Sequence, residues 1–305
     1  MANENKLNNK LNNKLKFIVK SAQIAAVLEA SSAKPGNVNP LHNFENTGYE
    51  HFLAGSLSIG DSVCDAVFGG YDNEIKTGKY ILKGVSDVKK SHSGGNTHLG
   101  ILMLFIPLAS GCGICISEND LNFKNLQENI LKVLNSTTAD DSVNLCDAIK
   151  LAKAGGLGTA DKFDLNNEKL KDDLIKNNLN FYDLLKLSAG KDRLAEELTT
   201  GMNITFKHSG VLAGIYEKSN DVFYSIVQTY MIILSKFPDT LIARKCGFDT
   251  AKEVSRRAEE VLKGKNSIEN FDRYLRGKGN KLNPGTTADI IAACLFVAML
   301  RGLRL

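Results

Sequence analysis

The chain has 305 residues, 43% hydrophobic and 24% charged, with 7% aromatic and no tryptophan. That length supports one large core or two modest ones. The formal net charge is +4 and no dense basic stripe is interleaved with aromatics, which excludes a dedicated nucleic-acid binder and leaves small anionic ligands open.

Residues 1–14, with Leu7 and Leu11 at helical spacing ahead of Leu15, read as a flexible or helical extension of the catalytic domain, residues 15–305. From Leu15, the residues Ile18, Val19, Ala22 and Ala26 follow helical periodicity. They predict a core helix ended by Lys34-Pro35-Gly36, because the residue before proline is pushed out of the helical region. A second helix is predicted from Tyr49 to Phe68, with Phe52, Ile59, Val63 and Val67 on one face. Asp61 and Asp65, one turn apart, suit either a shared cation or a solvated face.

Leu99 to Ile116 carries no charge and reaches the lower length limit of a membrane span. Pro107 and three glycines interrupt it, so a buried central helix is the expectation, without membrane association and in the cytoplasm. Cys112 and Cys115 form a lone C-x-x-C without a second metal-ligand pair and read as packed thiols. Helices are predicted over Asn119–Leu134, Ala139–Ala154, Phe181–Thr199 and Val222–Ser235, with a polar loop or short exposed helix from Asp164 to Asn180. Thr250 and Glu253 have the spacing of a capping box, opening a helix that stops at Gly264. Asn283 as N-cap and Pro284 at the first helical position open a last, apolar helix. Strand-like segments do not alternate with helices, so the fold class is all-α, a single-domain multi-helix bundle around a buried central helix.

Four kinked polar clusters interrupt these helices: Lys34-Pro35-Gly36-Asn37, Gly94-Gly95-Asn96-Thr97-His98, Asp239-Thr240 with Arg244, and Asn283-Pro284-Gly285-Thr286 with Asp289. Loops on a rigid core tend to carry binding groups, and helix starts attract anions, although ordinary turns and caps use the same residues. Lys34 and Arg244 are candidate cationic donors, and Asp239 and Asp289 candidate Mg²⁺ ligands. No Walker-type phosphate loop or dinucleotide fingerprint occurs.

At these clusters the chain resembles the triphosphoribosyl-dephospho-coenzyme A synthase family. The resemblance rests on Lys34-Pro35-Gly36, on Gly94-Gly95-Asn96-Thr97-His98-Leu99-Gly100, on Asp239-Thr240 with Arg244, on Phe271-Asp272-Arg273, and on the run from Asn283 to Ile290. It implies an all-helical transferase that moves the triphosphoribosyl group of ATP to dephospho-coenzyme A and releases adenine, as a monomer or homo-oligomer. Carried onto this chain, it implies His98, Asp239 and Asp289 as catalytic groups, with Mg²⁺ on Asp239 or Asp289. The implied substrate contacts are Lys34, Gly36, Asn37, Asn96, Thr97, Thr240, Arg244, Asn283, Gly285 and Thr286. The chain departs from the family at Gly155–Asp164, at Leu241 and at Thr286, which leaves two alternatives: water or another acceptor, and a nucleotide-binding protein without catalysis.

Overall fold

Helix α1 (Ala2–Ser31) buries Leu15, Ile18, Ala22, Ala25 and Ala26 along one stripe and ends before Pro35. It belongs to a computed structural model that describes residues 2–120, 122–153 and 169–305, with side chains from residue 12 onward. The helix expected over Tyr49–Phe68 is two, α2 (Tyr49–Ser58) and α3 (Gly60–Tyr71). The break has a cause on α1. Gln23 Nε2 donates to the Leu57 carbonyl at 2.6 Å, the carbonyl a continuous helix would offer to residue 61. Asp65 pairs with Lys83 at 2.5 Å and Asp61 is exposed, so this face is solvated rather than a cation site.

Helix α4 (Thr77–Ser91), absent from the sequence reading, buries Ile81, Val85 and Val88 at i, i+4 and i+7. It leads to α5 (Leu99–Ser117), and 83% of the most apolar stretch of this helix is buried inside the protein. Helices α3 and α5 touch backbone to backbone. A Cβ on Gly70 would lie 1.9 Å from the Ser110 carbonyl oxygen, and one on Gly113 would lie 2.0 Å from that of Val67. Cys112 and Cys115 are buried free thiols on this helix, as expected.

The chain continues through α6 (Leu126–Asn135), α7 (Ala139–Ala152), α8 (Leu170–Lys176), α9 (Phe181–Ser188) and α10 (Arg193–Thr199). The single helix expected over Phe181–Thr199 divides because Asp192 starts a new one, its Oδ1 accepting from the Leu194 and Ala195 amides. Next come α11 (Asn203–Ser219), α12 (Val222–Lys236), α13 (Thr240–Cys246), α14 (Phe248–Leu262), α15 (Ile268–Arg276), an exposed strand β1 (Gly277–Asn280) and α16 (Gly285–Leu300). The capping box expected at Thr250 does not form. Helix α14 begins earlier, the Thr250 hydroxyl donates to the Cys246 carbonyl, and Glu253 pairs with Arg256 and Arg257.

Every residue from Ile290 to Leu300 of α16 is buried, and the helix packs against α1, α5, α11 and α12. Each buried Leu, Ile or Phe on it contributes roughly 1.5–3 kcal/mol. Phe296 meets Phe105 of α5 with ring centroids 4.9 Å apart, so two apolar helices rather than one form the axis of the bundle. Both begin at the same end of the contact, which brings the His98 and Asn283 clusters toward one another.

Candidate active site

Helix α16 starts at Gly285, with Pro284 rather than Asn283 at the cap position. Asn283 does not cap it, and its Oδ1 is buried without a hydrogen-bond partner. The cap comes from another element. Asp239 Oδ2 accepts from both the amide and the hydroxyl of Thr287, each at 2.8 Å, while its Oδ1 accepts from the Leu241 and Ile242 amides of α13 at 2.9 and 3.1 Å. One carboxylate therefore caps two helices. Burial raises its pKa and these hydrogen bonds oppose the rise. With both oxygens doubly engaged, Asp239 clamps α13 to α16. Thr240 has a similar part: its hydroxyl accepts from the Arg193 amide and donates to Thr286, each at 3.2 Å, tying α10, α13 and α16. Gly285 lies under Leu241, whose methyl group would sit 2.7 Å from an added Cβ. At the α16 start, Asp239 thus takes the Thr287 amide and Leu241 covers Gly285.

The Lys34–Asn37 loop is likewise held from within. The Lys34 ammonium is fully buried, 2.9 Å from Glu29 Oε1, and also donates to the Glu29 and Ser32 carbonyls. The charge expected to serve a triphosphate is thus paired within the protein. Gly36 has φ +77°, a conformation that favours glycine, and its amide donates to Asp272 at 2.8 Å. Asn37 donates to Tyr230, and its carbonyl accepts from Arg276, which also pairs with Asp272.

Asp289 differs from all of these. It is half-buried on the first turns of α16, and no hydrogen bond or ion pair reaches its carboxylate among the described residues. Its Oδ2 lies 2.0 Å from where a Cβ of Gly100 would be, so the carboxylate rests directly on the first turn of α5. Desolvation raises its pKa well above the usual range, with Glu29, Asp239 and Asp192 adding to the rise and Arg244 opposing it. Glu29 is paired with Lys34, and Asp192 with the Arg244 guanidinium. Among these four carboxylates Glu29 and Asp192 are ion-paired, Asp239 is hydrogen-bonded, and Asp289 has neither kind of partner among the described residues.

On the other side of the α5 start, Asn96 Oδ1 accepts from the Leu99 amide at 3.2 Å, and no acceptor faces the Gly100 and Ile101 amides among the described residues. Thr97 and His98 are buried. The His98 ring has both nitrogens engaged, Nδ1 with Thr97 Oγ1 at 2.7 Å and Nε2 with Ser56 Oγ at 3.0 Å. Burial, aided by His92, pushes its pKa down to about 3. A ring so held buttresses the loop between Ser56 and Thr97. The loop flanks a cleft of about 220 Å³ bounded by α4 and the end of α7, with Lys89, His92 and Lys153 among its lining residues.

With this geometry in hand, a family profile for ATP:dephospho-CoA triphosphoribosyl transferases matches residues 16–304. The chain belongs to this family. It is a transferase that moves the triphosphoribosyl group of ATP to dephospho-coenzyme A with release of adenine. A solved structure from Archaeoglobus fulgidus, whose name proposes a triphosphoribosyl-dephospho-CoA synthase, aligns with a TM-score of 0.62 and 24% identity. The alignment covers 81% of this chain and 100% of that one, and at this identity it speaks for the fold alone. A comparison with curated proteins finds no match.

Sequence reasoning missed several groups that hold these clusters. Glu29, Asp192 and His92 lie outside the motifs: Asp192 pairs with Arg244, 52 residues away, while Glu29 and His92 engage Lys34 and Thr97, each five residues on. Lys245 has no carboxylate partner among the described residues, and desolvation lowers its pKa while Asp239 opposes that shift. The mid-chain segment Gly155–Asp164, where the sequence departs from the family pattern, lies wholly outside the described residues.

Proposed function

We propose that the triphosphate of ATP binds at the start of α5, against the Gly100 and Ile101 amides, with Asp289 holding Mg²⁺ beside it. The unpaired Asp289 carboxylate carries this reading: a desolvated carboxylate is costly unless a cation or hydrogen bonds answer it. The donor set fits Mg²⁺, which is usually held by one or two carboxylates plus substrate phosphates and water. Bound there, the ion would neutralise phosphate charge and orient the phosphate oxygens.

Helix-start amides favour the anion, and Lys245, which has no carboxylate partner among the described residues, adds positive charge at the end of α13. Lys89 and Lys153 give the adjoining cleft the charge to hold the diphosphate of dephospho-coenzyme A. In the reaction the bond from the ribose anomeric carbon to adenine breaks as the acceptor hydroxyl oxygen bonds to that carbon. Adenine leaves with the electron pair, and positive charge builds on the sugar as in glycoside hydrolysis.

A second reading rests on the raised pKa of Asp289, which suits a carboxylate that takes the proton of the attacking hydroxyl. Asp289→Asn separates the two. Loss of Mg²⁺-dependent ATP binding in calorimetry supports the metal ligand. Normal Mg-ATP binding with adenine release abolished supports the base, and normal values of both remove Asp289 from the site.

A further inference from the structure

The Gly94–His98 loop hangs on a hydrogen-bond chain whose direction is fixed at both ends. At one end the Gly94 amide can only donate, and it donates to His92 Nδ1 at 3.1 Å. The neutral His92 ring therefore carries its proton on Nε2 and gives it to Thr97 Oγ1 at 3.1 Å. The Thr97 proton goes to His98 Nδ1 at 2.7 Å, and His98 Nε2 donates to Ser56 Oγ at 3.0 Å. Ser56 donates to the Phe52 carbonyl at 2.8 Å, which can only accept. Every donor in the chain finds an acceptor only while both rings are neutral. A proton on His92 Nδ1 sets one N–H against the Gly94 N–H.

The surroundings of His92 do not offset such a proton. From α2 the His51 ring lies 5.2 Å away, and its Nε2 is 3.9 Å from the exposed Glu50 carboxylate. His51 Nδ1 accepts from the Gly48 amide at 2.9 Å, so that ring, when neutral, also carries its proton on Nε2. From α4 itself come Lys89, Lys90 and Asp87, the last two paired, and Lys153 at the end of α7 lines the same cleft. Burial and His51 both lower the His92 pKa.

We propose that His92 is a positioning residue for the ATP site: while neutral it holds Gly94–Asn96 over the start of α5, and its protonation releases that loop. The proposal rests on the placement of the triphosphate at α5. Asn96 makes the link, since it belongs to the held loop and bonds the Leu99 amide on the first turn of α5.

The test is amide hydrogen exchange of Gly94 and Gly95 in the full-length protein without nucleotide, read by NMR as protection factors from pH 7.5 to 4.5. Gly94 protection should fall about tenfold or more on acidification, with a midpoint below the usual histidine value of about 6.5. In His92→Asn, whose side-chain oxygen accepts from Gly94 but takes up no proton, protection should be independent of pH. A flat wild-type profile overturns the proposal, as does an equal fall in His92→Asn. At pH 7.5, His92→Leu should weaken Mg-ATP binding about tenfold in calorimetry, and His92→Asn should restore most of it, as one lost charge-adjacent hydrogen bond predicts. If Asp289→Asn loses ATP binding while His92→Leu keeps it, this inference fails and the ATP placement stands. If neither variant affects binding, the placement itself is wrong.

Discussion

Asp239 and Thr287 make two hydrogen bonds of 2.8 Å to one carboxylate oxygen, from the threonine amide and hydroxyl, and this pair joins the starts of α13 and α16. The other oxygen serves α13 alone, so a single buried side chain sets the relative position of two helices. Asp239→Ala leaves three helix-start amides and a hydroxyl without their acceptor. It should cost about 3–5 kcal/mol, the sum expected for a lost cap and buried unsatisfied donors. Asp239→Asn, which retains one acceptor oxygen, should cost less. Denaturant midpoints measure both. Intact stability with lost turnover would mean that Asp239 acts on substrate instead.

Asp289 predicts the opposite sign. Its folded-state pKa is raised, so the unfolded chain holds fewer protons on this group between the unfolded value of 3.8 and the folded one. Ionising it at neutral pH therefore opposes folding, and the penalty disappears as pH falls below the unfolded value. Asp289→Asn should raise the melting temperature of the nucleotide-free protein at pH 7 by a few degrees, an effect on the order of 1 kcal/mol. At pH 3.5 the variant and wild type should converge. A destabilised variant at pH 7 would show that the carboxylate has a protein partner.

Much of this was legible in the sequence, but unevenly. The periodicity of α1 and the unbroken apolar runs of α5 and α16 give the all-helical fold and its buried axis directly. The break between α2 and α3 was not legible, because it depends on Gln23 reaching a carbonyl 34 residues away. The polar clusters were legible as helix starts and kinked loops, which announce themselves by composition. Their individual roles were hidden, because Lys34, Asp239 and His98 carry the same residue types whether they face a ligand or one another. Only the contacts show that Glu29 neutralises Lys34 and that Thr287 occupies Asp239.

Gly100 should be intolerant of any side chain. An added Cβ would lie 2.0 Å from Asp289 Oδ2, so Gly100→Ala must push the carboxylate off the first turn of α5. Alanine is otherwise favoured within a helix by about 0.5–1 kcal/mol, which should keep the variant folded. The expected outcome is near-native stability with Mg-ATP affinity reduced about tenfold or more, as loss of about 1.4 kcal/mol of binding implies. Unchanged affinity by calorimetry would remove this face of α5 from the nucleotide site.

Lys34→Met should act on folding rather than on chemistry. The variant leaves Glu29 buried and unpaired, a change that costs about 3–5 kcal/mol when one member of a buried ion pair is deleted. The double variant Lys34→Met with Glu29→Gln should recover much of that loss, because it removes both charges. Adenine release per folded molecule should stay within a fewfold of wild type. A double variant that is stable yet fails to bind Mg-ATP would return Lys34 to the phosphate site.

The acid limb of stability should belong largely to His98. Its folded pKa is pushed down to about 3 by burial, below the ordinary value of 6.5, so the unfolded chain binds the extra proton between those two values. Stability contributed by the neutral ring is full above pH 6.5, declines as pH falls, and is lost below the folded value. Chemical-denaturation curves at intervals from pH 7.5 to 4 should show this decline in the wild type. His98→Gln places an amide nitrogen where Nε2 donates to Ser56 and has no group that titrates in the window. It should be less stable than wild type at pH 7.5, by about 1–3 kcal/mol for the imperfect fit to Thr97. Its decline toward pH 4 should be clearly shallower, leaving the slopes from His92 and His208, whose pKa values are also lowered by burial. Parallel curves for the two proteins would mean that water or a rearranged Thr97 hydroxyl accommodates the imidazolium, and that the neutral His98 ring is not what the loop depends on.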